Sequence, residues 1–376
     1  MSSLRLIVVL LASVLGYPPA ARGQPERPED ARRDVPSAGS AKERKSTRGP
    51  AHGPEIVGEP EPGNWGKLTP EQHAAAVEQL KRFAEQAKAK VAPDLALHET
   101  KYFLFYSDLK PAEAAKWAAL LDRMYARLAE LFGIPRGENI FRGKALVLVF
   151  ARLEDFDAFE QTVHGRDPGL SSGTCHQRGD GLVHIACFRE PTDAEFAALL
   201  VHESVHAFVH RYRKPPRVPS WVNEGLAETI AAALVDQRGK RQELRQDAIT
   251  RLRQRGALGE EFFSGRRIEG WQYPVAHMLT EFMIRKNRAG YIAFIDAIKD
   301  GFEWQDALVQ KFGATPEQLA ARFGQSLRIR GLGASKPLDD ERRPALGRDQ
   351  DVREWEEEWQ RERKAERERN RKRSAQ

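Results

Sequence analysis

The sequence predicts an α+β domain: a small mixed sheet packed on one buried helix, followed by a helical part. Three observations predict it. Two apolar strand-like runs, at 102–106 and 145–150, alternate with two helical segments. A third run, at 182–188, leads into a helix whose Leu199, Leu200, Val201, Val205 and Phe208 make it largely buried. Beyond that helix, the apolar spacing to about residue 330 reads as helix after helix.

The chain of 376 residues is 41% hydrophobic, enough for a sizeable core, and its 30% of charged residues gather toward the two ends. The net charge of +6 comes with 54 acidic residues and does not point to nucleic acid. Residues 1–23 read as a secretory signal: Arg5, then an apolar core at 6–16 too short to cross a bilayer comfortably. Small residues fit cleavage before Gln24 or after Ala21, and retention as an anchor is the alternative. Either way the domain is expected outside the cytoplasm, secreted, periplasmic or at the cell envelope. Residues 24–65 are rich in Pro, Gly, Ser, Arg and Glu and read as a disordered linker.

The folded domain is expected over 66–335. Thr69-Pro70-Glu71-Gln72 starts a helix running to about 91, with His73 on its surface. The strand at 102–106 is followed by a helix over 111–132, the strand at 145–150 and a short helix over 153–163. Gly179-Asp180-Gly181 is a turn before the strand at 182–188. His176 and His184 read as ordinary strand and loop residues, although they could face a site. Cys175 and Cys187 flank this possible hairpin and either pair or stay free; two thiols are too few for a four-thiolate zinc site. Later helices are expected over 230–258, from about Pro274, and in two or three short pieces over 290–330. In the tail at 336–376, the stretch 352–373 is almost all Arg, Lys and Glu, acidic first and basic last. It reads as a solvated helix or disordered tail, or as a contact for an anionic envelope surface.

The chemistry sits in H-E-x-x-H: His202, Glu203 and His206. Residues four apart share a helix face, so His202 and His206 can hold one metal ion between them. Glu203 stands where its carboxylate can take a proton from a water that the ion has made acidic. A catalytic site needs a third ligand and an open position. The metzincin pattern fails, because it would need Gly at 209 and His at 212, where Val209 and Tyr212 stand. His210 lies two turns from His202, too far for one ion to reach both ends of the row.

The stretch W-V-N-E-G-L-A-E, containing Glu224 and Glu228, closely resembles the second helix of the gluzincin zinc metallopeptidases, and the chain over about 98–330 resembles bacterial peptidase MA-like domains of unassigned substrate. That resemblance implies a gluzincin or thermolysin-like fold with Zn2+ held by His202, His206 and Glu224. It gives Glu203 the role of general base, and Glu228 that of orienting a ligand histidine. It makes 182–188 the sheet edge that receives substrate backbone. The aminopeptidase signature G-x-M-E-N is missing there, so a free amino terminus on the substrate is not indicated. Tyr273 resembles the tyrosine that holds the oxyanion, with His277 as the alternative. The implied substrate is a peptide or protein, with no nucleic-acid partner. Two other readings stay open: a non-catalytic zinc-containing scaffold or binding module, and a hydrolase of a cell-envelope amide. Oligomeric state and cleavage specificity have no signature in the sequence.

Overall fold

The computed structural model describes residues 65–335 except 170, 260, 261 and 264–266, and a few positions between 361 and 372. The segments read as signal and linker (but for Trp65) and most of the tail lie outside the described residues. The fold centres on five strands: β1 (Ala96–Glu99), β2 (Phe103–Ser107), β3 (Ala145–Phe150), β4 (Gly173–Gln177) and β5 (Val183–Phe188). They lie in the order β1-β2-β3-β5-β4. The inner three run parallel, and β1 and β4 pair antiparallel at the two edges. Among the described residues the chain is thus α+β with one mixed sheet.

Strands β2, β3 and β5 are buried along their whole length, and mostly apolar, because both faces are covered. Phe103, Phe105, Val147, Val149, Ile185 and Cys187 join one core, shared with α2 (Pro111–Leu131) and α4 (Asp193–Arg211). Leu104, Tyr106, Leu146, Leu148, Phe150 and Phe188 join the other, shared with α1 (Pro70–Lys90) and α3 (Leu153–His164). Helix α1 opens on a full capping box between Thr69 and Gln72, with Pro70 in its first turn. His73, expected on the surface, is partly buried: its Nδ1 accepts the Gly143 N–H at 3.2 Å and pins the loop before β3.

The hairpin corrects one expectation. The strand before α4 is not the sheet edge, because β5 is hydrogen-bonded on both sides. Residues 173–177 fold back across the turn as an extra antiparallel strand and take the edge. Their composition, G-T-C-H-Q, carries too little apolar surface to announce a strand. The cysteines are free. Cys175 stands opposite Ile185 and Cys187 opposite Gly173, which makes the thiols diagonal neighbours. Such positions are separated by about 7–8 Å, beyond ordinary disulfide reach.

The helical part consists of α5 (Ser220–Leu234), α6 (Arg238–Arg255), α7 (Tyr273–Lys299), α8 (Trp304–Ala307) and α9 (Pro316–Ser326). The break expected near 230 falls instead at 235–237. There Val235 is extended, and Arg241 donates to its carbonyl at 2.6 Å, closing the end of α5. The break expected near 290 falls at Asn287, which leaves helical φ/ψ inside α7 while its Oδ1 accepts the Gly290 N–H at 2.8 Å and restarts the turn.

Candidate metal centre

Helix α4 has apolar residues on nearly every side, the pattern of a helix enclosed by protein. It starts at Thr192, whose hydroxyl accepts the Glu195 N–H at 3.2 Å. Its last turn is anchored from outside. Tyr212 donates to Asp296 at 2.6 Å, and Lys299 donates to the His210 carbonyl at 3.2 Å. Arg213 then takes a left-handed backbone (φ 56), held by its ion pair with Asp300 at 2.7 Å. Pro215, Pro216 and Pro219 keep the connector out of helix, and α5 begins immediately after Pro219. This reversal brings α5 back across α4.

The crossing is close because of Gly225. A Cβ there would stand 2.3 Å from Thr280 Oγ1 and 2.6 Å from the Ala276 carbonyl oxygen, both on α7. So α7 presses on α5, and α5 on α4. Three side chains converge at the α4–α5 contact. His202 Nε2 lies 3.1 Å from His206 Nε2, and Glu224 Oε2 lies 3.2 Å from the first and 3.3 Å from the second. The two imidazole planes stand at 88°.

This near-equilateral triangle is a group that can hold a metal ion. Ligand atoms on a tetrahedral ion with arms of about 2.0–2.1 Å are about 3.3 Å apart, which the three edges approach. The electrostatics fit as well. Two ring nitrogens and a carboxylate oxygen face one point, and a cation there would satisfy all three. Without one, His202 favours its protonated form. Burial works against a charge on His202, but the carboxylates of Glu224 and Glu228 outweigh it and hold His202 well above its usual pKa. Burial likewise pushes Glu224 up, but His206 and His202 outweigh it and hold the carboxyl far below the usual range.

Glu228 accepts from His202 Nδ1 at 3.1 Å, one helical turn beyond Glu224. That bond fixes the tautomer and aims Nε2 at the triangle. The matching atom on the other ring, His206 Nδ1, is buried without a hydrogen-bond partner among the described residues.

Glu203 is buried on the side of α4 that faces the edge strand. Gly173 makes room for it: a Cβ at 173 would stand 3.2 Å from Glu203 Cγ and 2.9 Å from Leu199 Cδ1. Sequence reasoning missed Gly173, since nothing local marks a glycine that must clear a side chain on another element. Tyr273, at the first turn of α7, stacks near His202 with ring centroids 6.4 Å apart. Burial, then the carboxylates of Glu224, Glu203 and Glu228, push its hydroxyl far above the usual range, so it stays a proton donor. His277 is turned to Glu281 at 3.4 Å, and His210 to the Arg178 carbonyl at 3.1 Å; neither joins the triangle. His176 and His184 lie on the far face of the sheet, against α3.

No protein-family model matches this chain, and no curated protein matches it in sequence.

Proposed function

We propose that the chain is an exported zinc-dependent metallopeptidase of the gluzincin kind. The observation that carries this reading is the triangle of His202, His206 and Glu224, with Glu228 behind it and Glu203 next to His202 in the chain. Two imidazoles and one carboxylate, with no fourth protein group in the cluster among the described residues, are the donor set of a catalytic zinc. A structural site closes all four positions with protein and has no use for an adjacent free carboxylate. The chemistry supplied by zinc when bound is Lewis acidity, which polarises a carbonyl and makes a water easier to deprotonate.

The residues divide the remaining work. Glu203 takes the proton of the attacking water and passes it to the leaving amine nitrogen. Tyr273 offers its O–H to the oxygen that gains charge as the carbonyl is attacked. Glu228 keeps His202 in its binding tautomer. Strand β4 has one edge unpaired among the described residues, and its Gly173 leaves space for the Glu203 side chain. An extended peptide adding to that edge would lie along the general base, the role first expected of β5. The charged tail is proposed as a contact with an anionic envelope surface.

The experiment is cleavage of casein by the full chain, beside cell-wall peptide fragments, before and after chelation. Chelator-sensitive cleavage of casein is expected. Cleavage of the wall fragments alone would transfer the reading to a cell-envelope amide hydrolase. Metal uptake with no cleavage of either, or of a broad peptide library, would leave a non-catalytic scaffold.

A further inference from the structure

A second group of side chains gathers on the opposite face of the sheet, and nothing in the proposed reaction uses it. His164 ends α3, His176 is on the edge strand β4, and His184 is its register partner on β5. One ring nitrogen from each lies within 4.8 Å of the other two. The closest pair, His164 Nε2 and His184 Nε2, are 3.0 Å apart. Behind them, Glu160 is fully buried on α3, with Oε1 2.8 Å from His176 Nε2 and Oε2 3.2 Å from Arg166 Nε.

We propose that His164, His176 and His184 form a second metal site, for a divalent transition ion of the zinc type, separated from the His202–His206–Glu224 triangle by the sheet.

The donor chemistry argues for it. Three imidazoles in one place suit zinc, copper or nickel and do not suit the oxygen-loving calcium or magnesium. The carboxylate is placed as an orienting partner: Glu160 binds His176 through Nε2 and leaves Nδ1 for an ion, the carboxylate–histidine–metal arrangement. The 3.0 Å separation of the other two nitrogens is close to the about 3.3 Å between ligands on a tetrahedral zinc. Ligand imidazoles must be neutral, and for His164 and His184 burial favours that form. It pushes His164 down to about 4 and pushes His184 well below its usual value.

The rings now stack, with centroids 3.7, 4.6 and 5.0 Å apart and planes within 18° of parallel. Binding therefore requires His176 to tilt out of the stack toward the other two. It stands on the sheet's edge strand, where one side carries no neighbouring strand among the described residues. An ion there would tie the end of α3 to the β4–β5 hairpin. The same edge strand presents Gly173 to Glu203 on its other face, so the site would stiffen the strand that flanks the general base.

The test is metal stoichiometry on the full chain, stripped of metal and titrated with Co2+, with uptake counted by elemental analysis and d–d absorbance. Two equivalents are expected for the wild type, one for His176→Gln, one for His202→Asn and none for the double variant. The equivalent that His176→Gln retains also reports that this variant has folded, because the other site needs α4 and α5 in place. One equivalent in the wild type, lost in His202→Asn and kept in His176→Gln, would overturn the proposal and leave the stack as a hydrogen-bonded core cluster. One equivalent lost in His176→Gln and kept in His202→Asn would uphold it while removing the proposed catalytic centre.

Discussion

Glu228 and Tyr273 act on the centre without being ligands, and each makes a separable prediction. Glu228 holds His202 Nδ1 at 3.1 Å, so Glu228→Gln keeps the shape but weakens the bond that fixes the ring. Metal affinity is expected to fall by about 10–100-fold, read by competition with a chromophoric chelator. Tyr273→Phe removes one donor. On the proposed mechanism it lowers kcat by about 10²–10³-fold and leaves metal content and KM unchanged. Unchanged kcat would return Tyr273 to a packing role. At this scale the sequence was legible where chemistry is local. His202, Glu203 and His206 are one and a half turns of one helix, and their spacing alone places them. Glu224 and Glu228 were reached only through resemblance, because their relation to His202 depends on how α5 crosses α4. The histidine stack was out of reach, since it joins a helix end to two positions paired across strands.

The helix crossings set where the ligands meet, and they rest on close approach. Gly225 lets α7 press against α5, with no space for a methyl group beside Thr280 Oγ1. Gly225→Ala is expected to destabilise by about 1–3 kcal/mol through overpacking, seen as a lower thermal midpoint. Because Glu224 is the preceding residue, metal affinity is expected to fall with it. A variant of wild-type stability would mean that the α5–α7 contact can relax without cost. The buried strand β3 was readable as a continuous apolar run, since a strand covered on both faces needs no polar side. The edge strand β4 was hidden for the opposite reason: only one side of it pairs, and its residues are small or polar. The true end of α5 was also hidden. It is made by Arg241 reaching back to the Val235 carbonyl, not by a glycine or proline in the chain.

At the scale of the molecule, His164 and His202 give stability opposite pH dependences. His164, lowered from 6.5 to about 4 by burial, stabilises the fold above about 6.5 and loses that contribution as pH falls toward 4. His184 and His210 are lowered by burial and act in the same direction. His202 is raised, so in the metal-free chain its contribution is complete below 6.5 and is lost only as pH rises above it. Between pH 6.5 and 4.5 the metal-stripped chain is therefore expected to lose stability on acidification, and His164→Asn to flatten that slope, as denaturant melts at each pH will show. An unchanged slope in the variant would mean that His164 is not the group titrating.

The central claim is that the His202–His206–Glu224 triangle holds a zinc ion beside a working general base. The most direct measurement is zinc content and peptide cleavage for the full chain and for Glu203→Gln, with His176→Gln in both backgrounds to set aside the second site. The account predicts one zinc at the triangle in both proteins and a loss of at least about 10²-fold in cleavage on Glu203→Gln. No zinc at the triangle, or full cleavage by Glu203→Gln, would contradict it.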